Sequence, residues 1–172
     1  MKDSFSESSL IIDLPYPDVT LTADDCRYTG MISDAYAGKG SETTAYSQYR
    51  AHRLYLKECA EIFSAYQVLA SVEMLHQELL GNLVLRLGTA PKLCSCTTNR
   101  FWNGSFIAYR SQLIPILESD AQEERNAIAH YRLMIRTIPN ESMRALFRRI
   151  IMDEENHLAY LEAAIAAYSK KV

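Results

Sequence analysis

Chain breakers are scarce in this sequence, with six glycines and five prolines among 172 residues, and the β-branched clusters of a sheet protein are equally thin. Collagen-like, mucin-like and disordered classes are excluded. Positive charge is not in excess either. Eighteen basic residues against 21 acidic ones leave a formal charge of −3, which offers no broad field for gripping nucleic acid phosphates, so nucleic acid is not an expected partner. Long apolar runs are missing: Leu10-Ile11-Ile12 ends at Asp13, too short for a signal peptide or a membrane span. With a polar N-terminus before it, that predicts a cytoplasmic protein and no membrane partner. The four cysteines, Cys26, Cys59, Cys94 and Cys96, form no C-x-x-C pair and read as reduced thiols. What is present is 48% apolar and 23% charged residues, enough for one globular core. Ala, Leu, Glu, Tyr and Arg are abundant, and the expected class is all-α.

Along the chain, residues 1–21 read as an extended arm, since Pro15 and Pro17 turn themselves and their predecessors away from helix. A helical domain is expected over 22–172. Thr22 caps its first helix, which runs to about Leu56 with a kink at Gly38-Lys39-Gly40. The second spans about Ala60 to Leu87, where Ile62, Tyr66, Leu69, Val72, Leu80 and Leu83 recur at helical spacing, and Gly88 ends it. Residues 88–105 form a long connection. A third helix is expected from near Phe106 to Ile135, interrupted at Pro115, and a fourth from about Glu141 to Tyr168 after Pro139-Asn140.

Two of the four histidines lie three residues after a glutamate, in Glu73-Met74-Leu75-His76 and Glu154-Glu155-Asn156-His157. On a helix, positions i and i+3 share a face, so each pair can offer a carboxylate and an imidazole to one metal ion. Glu42 precedes Glu73 by 31 residues and Glu124 precedes Glu154 by 30. On one continuous helix that is about 45 Å, so the two can meet only across a hairpin. The hairpin turns should fall at residues 57–58 and at 139, where Pro139 indeed stands. Ala45-Tyr46-Ser47-Gln48-Tyr49-Arg50 also aligns with Ala127-Ile128-Ala129-His130-Tyr131-Arg132 at an offset of 82, a weak internal duplication. Tyr49 and Tyr131 each follow a glutamate by two helical turns and are candidates to bond a ligand carboxylate. Arithmetic alone allows Glu123 in place of Glu124; the offset of 82 favours Glu124.

These six positions, in this order, resemble the ferritin-like di-metal carboxylate superfamily, which includes bacterioferritins, rubrerythrins and manganese catalase-like proteins. The resemblance covers roughly Asp24 to Tyr168. It implies a ferritin-like four-helix bundle with one long crossover between helices 2 and 3, holding two Fe ions or, alternatively, two Mn ions. By position, Glu42 and Glu124 are then terminal ligands, Glu73 and Glu154 bridge both ions, and His76 and His157 serve one ion each. Asp153, directly before Glu154, is placed as bacterioferritins place the carboxylate that orients the opposite histidine, here His76. Its counterpart for His157 is Val72, which cannot do so. Met74 stands where bacterioferritins carry a haem ligand, but methionine is ordinary packing and haem is not expected. Rubrerythrins add a four-cysteine domain and a glutamate three residues after the third-helix ligand; this sequence has no C-x-x-C pair and has Ala127 there. His52 and His130 read as structural, Arg148-Arg149 as a solvated helix face, and Trp102 and Phe106 as covers for the crossover.

The function this implies is a di-iron carboxylate oxidoreductase of ferroxidase or peroxidase type, acting on O₂ or H₂O₂ with Fe(II) or another electron donor. The alternative is a dimanganese catalase, toward which the Pro-Tyr-Pro-Asp arm points. A non-enzymatic alternative is an iron-storage or metal-buffering subunit. Tyrosine-rich helices leave apolar surface uncovered, so a homo-oligomer, dimer or larger, is expected.

Overall fold

The computed structural model describes residues 10–171; residues 1–9 of the expected arm and Val172 lie outside them. From Ile12 to Thr22 the chain forms neither helix nor strand, in keeping with Pro15 and Pro17, with a tight turn closing Leu14 N onto Ile12 O at 2.8 Å, and the capping arrangement at Thr22 starts the helical part. Asp25 Oδ2 accepts from Thr22 N at 2.7 Å and from Thr22 Oγ1 at 2.9 Å, although the first six residues, Ala23–Tyr28, are wound as a tighter 3₁₀ helix.

The first predicted helix is two helices, α1 (Thr29–Ala37) and α2 (Glu42–Arg53). The glycines break the element rather than kink it. A Cβ on Gly38 would lie 2.5 Å from the Asp34 carbonyl oxygen, so only glycine lets the chain leave α1 here. Ser41 then restarts the helix, its side chain accepting from Thr44 N at 3.4 Å. α3 (Ala60–Arg86) follows a turn that includes residues 57–58; the turn has no breaker and is held instead by buried Leu56. Gly88, at φ 84°, takes the left-handed conformation that ends α3.

The crossover is longer than predicted, running from residue 87 to 112. It holds a two-residue antiparallel ladder of β1 (Cys94–Ser95) with β2 (Arg100–Phe101), and Trp102 Nε1 donates to Thr44 Oγ1 at 2.9 Å, fastening it to α2. α4 (Leu113–Thr137) therefore starts later than Phe106, and Pro115 does not interrupt it. Pro115 sits in the first turn, where a backbone N–H has no acceptor within the helix and its loss costs nothing. α5 (Glu141–Tyr168) follows Pro139, with Asn140 as its cap accepting from Met143 N at 3.1 Å.

α2 packs on α3 and α4 on α5, while α1 packs on the C-terminal half of α3, so α1 and α2 together form the first arm of a ferritin-like four-helix bundle. Its apolar interior is divided into two clusters. One gathers Ile32, Leu80, Leu83, Ile128, Met134, Phe147 and Ile150; the other gathers Leu56, Ile62, Tyr66, Leu69, Ile116, Leu117 and Leu161. Between the two clusters lie buried polar residues: Glu73 and His76 on α3, Glu124 on α4, and Asp153, Glu154 and His157 on α5. Among the described residues no helix is long and apolar enough to cross a membrane.

Candidate metal centre

Glu42 is the first residue of α2, Glu73 and His76 lie in α3, Glu124 in α4, and Glu154 and His157 in α5; all six are at most 4% exposed. The break between α1 and α2 puts Glu42 at a helix N-terminus, whose unpaired N–H groups favour a carboxylate. The structure brings the six into two groups of four that share Glu73 and Glu154: Glu42, Glu73, His76 and Glu154, and Glu73, Glu124, Glu154 and His157. Glu123 belongs to neither group and is half-buried.

The two groups are built alike. His76 Nδ1 lies 3.1 Å from Glu154 Oε1, 3.5 Å from Glu73 Oε2 and 3.6 Å from Glu42 Oε2. His157 Nδ1 lies 2.9 Å from Glu73 Oε1, 3.3 Å from Glu154 Oε2 and 3.7 Å from Glu124 Oε1. Despite this proximity, His76 Nδ1, His157 Nδ1, Glu73 Oε1 and both Glu154 oxygens are buried with no hydrogen-bond partner. Buried polar atoms rarely lack partners, and these converge on one another in two compact groups instead. Donors each about 2.1 Å from a shared cation leave edges of about 3 Å between themselves, so the six residues fit two metal ions.

The electrostatics point the same way. Burial, then repulsion from Glu154 and Glu73, pushes the Glu42 and Glu124 carboxyls well up. Burial also opposes charge on His76 and His157, but the carboxylates around them more than offset it and hold both imidazoles well above the ordinary histidine range. The cluster is short of positive charge, which metal cations held there would supply.

The tyrosines cross between the halves. Tyr49 of α2 donates to Glu124 of α4, and Tyr131 of α4 donates to Glu42 of α2. The spacing placed each on its own glutamate's face, but each bonds the other half's carboxylate, because α2 and α4 approach one another over this stretch. Burial, reinforced by the adjacent carboxylate, keeps both phenols protonated well above their usual range, so both remain donors.

Around His76 lies a set of contacts only partly foreseen. Asp153 Oδ2 is 3.1 Å from His76 Nε2, and it also accepts from Tyr16 OH at 2.6 Å and Arg149 Nη1 at 2.6 Å. Burial raises the Asp153 carboxyl, yet these three partners hold it down at about 2, while burial of Tyr16 pushes its phenol up to about 12. Arg149 was expected on a solvated face and is instead 4% exposed; Arg148 alone keeps that role. Its i, i+4 spacing to Asp153 was the signal for this. Tyr16 had no local signal. On the other half, His157 Nε2 is buried with no hydrogen-bond partner.

Of the other histidines, neither joins a donor group. His52 Nδ1 is 2.9 Å from both Asp120 oxygens and Nε2 is 2.8 Å from Ala108 O. His130 stacks on Tyr131, and Met74 is 42% exposed. A cavity of about 30 Å³ borders the centre, lined by Glu42, Tyr49, Glu124, Ala127, His130 and Tyr131 among others. An outer groove shares Gly40 and His130 with it.

No curated protein matches the chain. Among solved structures, a manganese catalase from Anabaena superposes with a TM-score of 0.83 at 18% identity, covering 92% of this chain and 80% of that one. Bacterioferritins from Desulfovibrio desulfuricans and Rhodobacter capsulatus superpose with TM-scores of 0.72 and 0.69 at 23% and 22% identity, covering 88% and 85% of this chain and 86% and 88% of theirs. The rubrerythrin family profile matches residues 31–165, and the chain belongs to that family, within the ferritin-like superfamily.

Proposed function

We propose that this protein is a di-iron carboxylate oxidoreductase that reduces H₂O₂ or O₂, with Fe(II) or another donor as the source of electrons. The observation that carries the reading is the pair of four-donor groups whose buried ligand atoms converge, several of them without a hydrogen-bond partner. Glu42, Glu73, Glu154 and His76 would hold one ion, and Glu73, Glu124, Glu154 and His157 the other. When bound, two such ions supply a pair of one-electron redox centres able to share the two electrons of an O–O bond. The protein's own part is positioning. Tyr49 and Tyr131 fix Glu124 and Glu42 through O–H donors, and the apolar clusters on either side keep the layer dry.

The cavity beside the centre suits a small substrate. About 30 Å³ is roughly twice what one water needs, which admits a molecule the size of O₂ or H₂O₂. Ala127 lines that space. Ala127→Leu should fill it, lowering peroxide turnover by about tenfold or more while both ions are retained. Turnover that survives intact in metal-loaded Ala127→Leu would place the reaction elsewhere.

A dimanganese catalase is the second reading, favoured by the likeness to a manganese catalase over 92% of the chain. Elemental analysis of natively purified protein, followed by peroxide assays, separates the two. Iron with donor-dependent peroxide loss supports the first; manganese with rapid O₂ evolution and no donor supports the second. Metal bound without turnover, in a large assembly, would favour storage. The Bacteroides fragilis thioferritin that superposes at a TM-score of 0.68 is described as dodecameric, which favours a homo-oligomer here.

A further inference from the structure

We propose that the segment Ile12–Tyr16 makes the two halves of the centre unequal, so that the half containing His76 takes its ion first and holds it more tightly. This rests on the dinuclear reading above and adds an order of occupancy to it. The six donors obey an approximate twofold arrangement; their supports do not. His76 Nε2 faces Asp153 Oδ2 at 3.1 Å, and Tyr16 OH lies 3.1 Å from the same ring nitrogen and 2.6 Å from that carboxylate oxygen. The Tyr16 ring stands edge-on to the imidazole, at 5.9 Å and 79°. The outer side of His76 is therefore filled, and Nδ1 is left turned toward the carboxylates.

Arg149 locks the segment in place. Its Nε donates to Leu14 O at 2.9 Å and its Nη2 to Ile12 O at 3.0 Å, while Nη1 reaches Asp153 at 2.6 Å. The guanidinium also stacks over the Tyr16 ring at 4.4 Å. One buried cation thus joins the segment to the carboxylate that orients His76. On the opposite half the position before Glu73 is Val72, and His157 Nε2 is buried with no partner. Among the described residues no polar group holds that imidazole from behind, on its Nε2 side. Orienting partners behind a metal-bound histidine are worth about 10- to 100-fold in affinity, so the two halves should differ by about tenfold or more.

Titrating the metal-free full-length protein with Mn(II), followed by the EPR signal of free Mn(II), tests the affinities. A crystal grown at one equivalent, read by anomalous scattering, tests the order. The expected result is a tighter and a weaker step, with the first ion beside His76. Tyr16→Phe should weaken the tighter step and narrow the gap. Val72→Asp, which supplies the missing partner, should strengthen the weaker step and narrow it from the other side. Two equal steps in the unaltered protein, a first ion beside His157, or a gap unmoved by both variants would overturn the inference while leaving a dinuclear centre standing. Failure to bind Mn(II) or Fe(II) at all would overturn the dinuclear reading itself.

Discussion

Glu154→Gln should abolish tight binding at both halves of the centre, and chelation should then no longer lower the protein's thermal midpoint. Glu154 belongs to both donor groups, so neutralising it removes a charged donor from each; Glu42→Gln removes one from a single group. The two variants should differ accordingly, with Glu42→Gln keeping one tight ion. Stability gives the sharper readout. A ligand present at a thousandfold its Kd stabilises the folded state by about 4 kcal/mol, which for a domain of this size is a midpoint shift of roughly 10 °C. The unaltered protein should lose about that much on chelation, and Glu154→Gln should lose almost nothing. In the metal-free state Glu154→Gln should also cost stability, because burial and Glu73 push the Glu154 carboxyl up but His76 and His157 more than offset them and hold it below its ordinary value, so the fold favours the charged form. A chelator that leaves the parent's midpoint unmoved would show that no cation is part of this fold.

Asp120→Ala should be the most damaging substitution outside the centre, costing about 3–5 kcal/mol with metal content unchanged. Asp120 is 2% exposed and collects the hydroxyl of Tyr66 at 2.7 Å, the amide of Gln48 at 2.8 Å and Nδ1 of His52 at 2.9 Å. His52 is itself fully buried, with Nε2 2.8 Å from the Ala108 carbonyl oxygen and 3.4 Å from the Arg110 backbone N–H. Removing the carboxylate strands three buried groups at once: His52 Nδ1, the Tyr66 hydroxyl and the Gln48 amide. Urea unfolding of metal-free protein measures the loss, and a change below about 1 kcal/mol would mean the pair is worth no more than a surface one. Burial pushes the His52 imidazole down, but Asp120 more than offsets it and raises it above its ordinary value near 6.5. A histidine raised on folding contributes fully below its unfolded value and loses that contribution as pH rises through the folded one. Stability should therefore fall as pH climbs above about 6.5, and Asp120→Ala should flatten that part of the slope.

Much of this was legible in the linear chain. Glu-x-x-His is a statement about one helix face, and the intervals of 31 and 30 residues require hairpins whatever the rest of the chain does. Pro139 and Gly88 act locally, so their positions marked real ends. Pro115 misled because a proline's effect depends on whether it stands inside a helix or at its start, and the start of α4 is set by a crossover whose course is a tertiary matter. The glycines at 38 and 40 announced a weakness, yet the break that puts Glu42 at a helix N-terminus depends on the close approach of Gly38 to the Asp34 carbonyl.

The sequence by itself determined that this is a helical chain with two Glu-x-x-His pairs and two earlier glutamates at hairpin distance, because helical periodicity and chain length are local quantities. Only the tertiary structure decided the partners. Tyr49 and Tyr131 bond across to the opposite half, Arg149 turns inward to bind the segment at Ile12 and Leu14, and Tyr16 reaches a carboxylate 137 residues away. Those contacts join residues with no fixed separation along the chain, and they exist only because packing leaves each buried polar group one place to find a partner. The near-symmetry of the donors was therefore written in the spacing, and the inequality of their surroundings was not.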